Sequence, residues 1–217
     1  MDKSIKQIVK NLLLTRNHKE LLRLCQTDKR YWRTLQLYLY ETEENLRWPA
    51  IEAFAELMKR WWLEGSRERV REYIRRLLWL LNEESGGIGW SSPEVIAETI
   101  VYIPELLEPY GSIMIAYALK GRCFLNSSLW AIGRMGKQIK EVIALSQDKV
   151  LDAFDSDNPE TLSLAAWAMG EVGFTPALKY LTMLRDRKEI GRIYIDGHFQ
   201  EKSLGRWSKE AIDRIGQ

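Results

Sequence analysis

The amino-acid sequence predicts an all-α fold, a right-handed α-solenoid of about five stacked helix pairs that closes with a small C-terminal β-hairpin. Three observations carry this prediction. Short amphipathic helical patterns follow one another along most of the chain. Two eight-residue segments, LWAIGRMG and AWAMGEVG, recur 37 residues apart. Strand-like residues occur only once, close to the C-terminus.

The first half of the chain contains helices with recognisable start and stop signals. Asn17 and Asp28 are predicted N-caps, because their side-chain oxygens accept from first-turn N–H groups. A long helix is predicted to begin at about Pro49, where the missing N–H costs nothing, and to end at Gly65. Ser66 is then predicted to cap the arginine-rich helix RERVREYIRRLLWLLN.

The second half continues with short capped helices and then changes character at residues 192–200, RIYIDGHFQ. The Asp-Gly pair at 196–197 is typical of a two-residue hairpin turn, because both central residues of a type I′ turn need a positive φ. The predicted register pairs Ile195 with His198 and Tyr194 with Phe199. A last helix, LGRWSKEAIDRIG, follows the hairpin.

The two similar segments indicate repeating helix pairs. Their tryptophans and glycines correspond at the same 37-residue step, and weaker echoes surround Ala55, Ala97 and Ala211. A glycine inside a helix costs about 1 kcal/mol relative to alanine. We therefore expect the interior glycines, Gly133 and Gly170, to allow close approach of neighbouring helices.

SLWAIGRMG and LAAWAMGEVG resemble HEAT repeats, specifically the short variety named after phycobilisome lyases, over residues 45–180. Together with NEESGGIGWSSPEVIAE, the repeat is also similar to a group of uncharacterised prokaryotic HEAT-repeat proteins. The resemblance implies an α-solenoid and no assigned reaction. Lyases of the wider group attach bilins, but no residue set here matches that activity.

The repeat pattern predicts one solenoid domain over residues 1–217. Residues 1–44 would form basic N-terminal capping helices, residues 45–188 the HEAT-like repeats, and residues 189–217 the hairpin with a C-terminal capping helix. Residues 1–40 hold nine Lys or Arg and three acids. This excess is compatible with a solvated surface or with a basic contact surface.

Composition argues against several classes of protein. The net charge of +2 favours neither nucleic acid nor membrane, and no apolar run is long enough for a membrane span or a signal peptide. Cys25 and Cys123 lie far apart without metal-ligand spacing, so we expect free thiols in the core. The sequence predicts a cytoplasmic protein without a metal or cofactor.

Residues 82–94, NEESGGIGWSSPE, differ from the surrounding helical patterns. The segment lacks the lysine of a nucleotide-binding P-loop and the third glycine of a dinucleotide fingerprint. A connector explains it, with Ser91 and Glu94 forming a capping box and Trp90 filling a gap. A partner-binding lip is the alternative, with Glu83, Glu84, Trp90 and Glu94 as contacts.

Tryptophan is unusually frequent, with nine in 217 residues. Four of them fall on apolar stripes and are predicted to be core residues: Trp32, Trp79, Trp130 and Trp167. Adjacent residues such as Trp61 and Trp62 cannot both face one side of a helix. We therefore expect an exposed contact among Trp61, Trp62 and Trp48, with Trp48 and Trp62 as candidates, because exposed tryptophan beside arginine is typical of interface hot spots.

No catalytic constellation is recognisable, so the sequence favours a non-enzymatic scaffold that binds a protein or peptide. The concave surface and the 82–94 segment would contact the partner, with Arg134 and Glu171 as inner-face candidates because they follow the repeat glycines. The alternative is a nucleic-acid binder, resembling the HEAT-like solenoids that remove alkylated bases from DNA. The identity of the partner and the oligomeric state stay open.

Overall fold

The computed structural model describes residues 3–82, 91–120 and 122–217. The chain divides into two compact units, Met1–Ile103 and Pro104–Gln217. Each unit buries its own set of apolar side chains. The division of the chain into one domain with segments 1–44, 45–188 and 189–217 stays a prediction.

Six helices form the described part of the first unit, and α4 is central to it. The helix α4 contacts every other helix of this unit, and most of its side chains are buried. The helices are α1 (Lys3–Leu14), α2 (His18–Thr27), α3 (Lys29–Tyr38), α4 (Glu44–Leu63), α5 (Arg67–Leu81) and α6 (Ser92–Tyr102).

The predicted start of α4 at Pro49 is wrong, because the helix begins at Glu44 and Pro49 lies inside it. A proline removes one backbone hydrogen bond and is disfavoured within a helix. Here Pro49 is buried in a helix that contacts all the other described helices of the unit, so tertiary packing outweighs the lost hydrogen bond.

The helix ends follow the predicted signals in most cases. Asn17 and Asp28 accept hydrogen bonds from first-turn N–H groups, and Gly65 ends α4 with a φ of 89°. Ser66 and Ser91 occupy N-cap positions, but neither side chain makes a capping hydrogen bond. The predicted caps at residues 17 and 28 are confirmed, and the predicted capping bonds of the two serines are wrong.

The second unit is built around α11, which contacts α8, α13 and β1. Every residue from Thr161 to Gly170 in this helix is buried. The elements are α7 (Leu107–Ala118), α8 (Leu125–Met135), α9 (Lys140–Leu145), α10 (Gln147–Leu151), α11 (Pro159–Val172), α12 (Leu178–Leu184), β1 (Ile190–Ile195), β2 (His198–Ser203) and α13 (Leu204–Ile215).

The repeat glycines lie where neighbouring helices meet, as predicted. A Cβ atom on Gly133 of α8 would lie 2.5 Å from Cζ3 of Trp167 on α11. A Cβ atom on Gly170 of α11 would lie 2.7 Å from Cα of Ala211 on α13. The same position of the repeat therefore receives the next helix each time, which explains why glycine occurs inside these helices despite its low helix propensity.

The weaker sequence echoes also fall on equivalent helices. Ala55 and Ala97 lie on α4 and α6, which pack against each other in the first unit. Ala55, Ala97 and Ala211 are all buried. Ala211 lies on α13, which packs on α11 in the second unit. Within each unit, the step of about 40 residues thus corresponds to one helix packing on the next.

The C-terminal hairpin has the predicted register, with Ile195 opposite His198 and Tyr194 opposite Phe199. Its turn residues have positive φ values, 48° at Asp196 and 87° at Gly197. Two buried indoles hold β1 on the helices: Trp130 Nε1 donates to the Tyr194 carbonyl at 2.7 Å, and Trp207 Nε1 donates to the Gly191 carbonyl at 3.2 Å. An isolated hairpin is marginally stable, so this packing stabilises it.

Two further expectations concern the thiols and the membrane. Cys25 is buried, as expected, whereas Cys123 is exposed, so the expectation of a second core thiol is wrong. Within the described ranges, no helix is both long enough and apolar enough to span a bilayer.

Candidate functional site

The candidates Glu83, Glu84 and Trp90 lie outside the described residues. The predicted binding lip at 82–94 is therefore described only at Asn82 and from Ser91 onward. Asn82 is the exposed C-cap of α5, and Ser91 is the buried N-cap of α6. The role of this segment in binding stays a prediction.

Two candidates, Glu94 and Trp48, contact the same arginine in the first unit. The Arg47 guanidinium Cζ lies 5.2 Å from the Trp48 ring centroid, and Arg47 Nη1 lies 3.7 Å from Glu94 Oε1. Glu94 and Trp48 are only 3% and 6% exposed. Arg47 thus joins α4 to α6 through an ion pair whose carboxylate is buried, a link that sequence spacing does not reveal because 47 residues separate the two charges.

The adjacent tryptophans at the end of α4 are both buried, so the expectation of an exposed tryptophan among Trp48, Trp61 and Trp62 is wrong. Trp61 packs edge-on against Trp32 of α3, with centroids 5.6 Å apart. Trp62 lies under two arginines of α5, at positions 67 and 71. Because α4 is covered from several sides, adjacent side chains that point in different directions are both enclosed.

Trp79 shows the opposite deviation from the sequence prediction. It was predicted to be core but is 62% exposed, and among the described tryptophans it alone is exposed. Its neighbours one turn earlier, Arg75 and Arg76, are exposed as well. The buried stripe of α5 runs through Val70, Ile74, Leu77, Leu78 and Leu81. Trp79 lies on the helix face away from this buried stripe, and the helical spacing of the apolar residues in the sequence already indicated that face.

Arg76, one turn before Trp79, lies near Tyr73 and Tyr40. Burial raises the pKa of Tyr73 on α5 and of Tyr40 in the segment after α3. The positive charge of Arg76 offsets part of this rise in both groups. Tyr40 is 42% exposed as a residue. The exposed side of α5 therefore carries an indole beside guanidinium groups, with the partly exposed Tyr40 near Arg76, a composition that is enriched in protein interfaces.

The candidates Arg134 and Glu171 of the second unit both engage in intramolecular pairs. Arg134 Nη1 lies 3.9 Å from an Asp196 carboxylate oxygen in the hairpin turn. Glu171 accepts a hydrogen bond from Trp167 Nε1 at 3.0 Å and pairs with Arg214 Nη1 at 3.3 Å. The Arg134 pair connects α8 to the hairpin turn, and the Glu171 pair connects α11 to α13. A role of either side chain in partner binding stays a prediction.

One histidine–carboxylate pair is relevant to the possibility of catalysis. His18 Nδ1 lies 3.0 Å from Glu56 Oε1 and joins α2 to α4. The other ring nitrogen, Nε2, is enclosed by the protein, and no described residue hydrogen-bonds to it. A general base must reach its substrate proton. This pair therefore orients two helices and does not present a base to solvent.

Comparison with known proteins identifies the fold. No family model matches the chain, and no curated protein matches it by sequence. Among solved structures, a designed armadillo repeat protein, YIII(Dq)4CqI, superimposes with a TM-score of 0.59 at 12% identity, covering 99% of this chain and 94% of that chain. The chain has the fold of a HEAT- and armadillo-like repeat protein.

A second structural match is an archaeal HEAT-like repeats protein from Thermococcus onnurineus NA1, with a TM-score of 0.36 at 13% identity and 97% coverage of both chains. The α-solenoid fold of this chain, in which helix pairs bury their apolar sides by stacking, is supported by the match to the designed armadillo repeat protein. The particular resemblance to lyase-type HEAT repeats stays a prediction. Function has to be argued from the surface residues, because fold alone does not determine it.

Proposed function

We propose that this chain is a non-enzymatic binding module, and that a protein partner docks on the exposed side of α5 with Trp79 as its anchor. The observation that carries the proposal is the 62% exposure of the Trp79 indole. Exposed tryptophan is costly to keep in water, and tryptophan with arginine dominates binding energy at protein interfaces. The repeat fold supports the proposal, because solenoids offer extended surfaces to partners.

The surroundings of Trp79 favour a protein partner over a nucleic acid. Along the exposed side of α5, arginines alternate with Glu68 and Glu72, and Glu68 pairs with Arg71 and Arg75 at 3.6 and 2.5 Å. Residues 1–103 contain 17 Lys or Arg and 15 Asp or Glu. A phosphate backbone needs a continuous basic surface, whereas a mixed surface suits a partner with charges of both signs.

The position of Trp79 in the chain supports the earlier hypothesis about the glycine-rich segment. Trp79 lies three residues before Asn82, where the 82–94 segment begins. A tryptophan anchor and a long connecting segment would then contribute to one binding surface. Glu83, Glu84 and Trp90 remain candidates for that surface.

The test compares Trp79→Ala with the matched control Leu145→Ala, which removes an 89% exposed side chain from the second unit. A partner captured from the source cells is purified, and its affinity is measured by calorimetry. We expect Trp79→Ala to weaken binding at least tenfold, as for a hot-spot residue, and Leu145→Ala to change it less than twofold. Both variants should keep the wild-type melting temperature, because both side chains are exposed.

Two results would contradict the proposal. One is equal affinity of the Trp79→Ala variant and the wild type for every captured protein. The other is binding to DNA or RNA at moderate salt, with an affinity that falls steeply as salt increases, since this dependence is typical of phosphate contacts.

A further inference from the structure

The first unit contains a second surface feature, a pocket of about 310 Å³ where α2, α3, α4 and the start of α5 meet. Tryptophans at positions 32 and 61 form part of its wall, and Cys25 lies at the same pocket. The charged side chains that line it are Lys29, Glu64 and Arg69. We call this feature the Arg69 pocket.

The guanidinium of Arg69 is positioned by the two indoles. Its Cζ atom lies 3.4 Å from the Trp61 ring centroid and 5.1 Å from that of Trp32. The two rings meet at an interplanar angle of 87° and form a corner. Cation–π contacts of this kind use the face of the guanidinium and restrict its motion. The N–H groups at its edge remain available as donors.

Within the described residues Arg69 has no carboxylate partner, unlike two other arginines of α5. Arg71 and Arg75 both pair with Glu68. No described carboxylate forms an ion pair with Arg69, whose pKa is lowered by burial. It also lies in the first turn of α5, where the helix dipole disfavours a cation. Arg69 is exposed as a residue, so an added anion can reach its guanidinium and form charge-assisted hydrogen bonds with it.

We propose that the Arg69 pocket binds a carboxylate, namely an acidic side chain of the protein partner. Arg69 would donate two parallel N–H bonds to the carboxylate, and Lys29 would add a second positive charge. The Trp32 indole, which is half-buried, would cover the methylene stem of the acidic side chain. This inference rests on the proposed function, because it specifies the chemistry of the same partner.

The charges around the pocket favour a carboxylate over a phosphate. Glu64 also lines the pocket and accepts a hydrogen bond from Gln26 Nε2 at 2.6 Å. A phosphate with nearly two negative charges is repelled by Glu64 more strongly than a carboxylate with one. The pocket also lies at the lower end of the range for ligand sites, which suits one side chain and not a nucleotide.

The experiment uses the whole chain and two small probes, the α-amide of N-acetylglutamic acid and inorganic phosphate. Binding is followed by the NMR signals of the indole Nε1–H and arginine Nε–H groups. We expect the carboxylate probe to shift the Arg69 and Trp61 signals saturably, with a Kd on the order of millimolar, as for one charge-assisted contact. Phosphate should bind more weakly.

The decisive variant is Arg69→Gln, and Arg67→Gln is its matched control. Arg67 also stacks on a tryptophan, Trp62, at 5.3 Å, but it does not line the Arg69 pocket. We expect Arg69→Gln to weaken binding of the carboxylate probe at least tenfold and Arg67→Gln less than twofold. Lys29→Gln, at an exposed position, should weaken it by a smaller factor and leave the fold intact.

Equal binding of the probe by Arg69→Gln and the wild type would overturn the proposal, and so would shifts that never saturate. Tighter binding of phosphate would reject the carboxylate assignment in favour of a phosphorylated ligand. None of these measurements involves Trp79. The pocket can therefore fail while Trp79→Ala still loses the partner, and the two failures are distinguishable.

Discussion

The close contact at Gly170 leads to a quantitative prediction for Gly170→Ala. Alanine in place of an interior helical glycine stabilises the helix by about 1 kcal/mol. Against this, the new Cβ atom would lie 2.7 Å from Cα and 2.9 Å from Cβ of Ala211. Ordinary carbon–carbon contact is about 3.5–4.0 Å, so the backbone of α13 would have to move by roughly 1 Å.

Overpacking of a core costs about 1–3 kcal/mol, and the upper end applies because the nearest obstructing atom is the backbone Cα of the buried Ala211, which cannot rotate away. The net effect is a loss of about 2 kcal/mol in the free energy of unfolding. Urea unfolding followed by circular dichroism would detect it. With an m-value of about 2 kcal/mol per M, the midpoint should fall by about 1 M.

Gly111→Ala is the matched control in the same unit. Gly111 is also a buried glycine inside a helix, α7, but the nearest obstacle to its Cβ atom is the flexible side-chain end of Leu107, at 3.0 Å. We expect this variant to be as stable as the wild type or more stable by up to about 1 kcal/mol. If Gly170→Ala were equally stable, the close approach of α11 and α13 would not explain the repeat glycine.

Two further predictions concern titrating groups. Burial raises the pKa of Cys25 to about 12. A disulfide reagent at pH 8 should therefore modify the exposed Cys123 and reach the buried Cys25 only after unfolding. Equal modification rates of the two thiols in the native protein would contradict this. The hydrogen bond from Arg187 holds the pKa of Glu189 at about 2, below the ordinary value of 4.5. Any stability from this pair is therefore present above the ordinary glutamate pKa and lost as the pH falls toward 2. Carboxyl NMR should show the midpoint returning toward 4.5 in Arg187→Gln, and an unchanged midpoint would refute the assignment.

The elements that depend on neighbouring residues were predictable from the sequence. Asn17 and Asp28 cap their helices because each side chain reaches an N–H group within three residues. The hairpin register follows from the Asp-Gly turn, because a two-residue turn leaves one pairing of the flanking strands. The repeat glycines were recognisable because their 37-residue spacing is a property of the chain itself.

The binding surfaces were predictable only in part. The hypothesis that tryptophan beside arginine marks a contact came from composition, but it selected Trp48 and Trp62, which are buried, and missed Trp79. The Arg69 pocket could not be predicted, since it combines side chains from α2, α3, α4 and α5. The alternating arginines of RERVR can be read from the sequence, but the tryptophans of α3 and α4 that they contact cannot.

The sequence by itself determined the helical repeat, its glycine contacts and the terminal hairpin, because periodicity, capping and turn formation act over a few residues or repeat along the chain. Only the tertiary structure decided which described tryptophans meet solvent and that the Arg69 guanidinium lies against two indoles. Burial is set by all the helices that surround a side chain. A helix such as α4, covered from several sides, encloses both of two adjacent tryptophans, whereas α5, covered on one side, leaves Trp79 exposed.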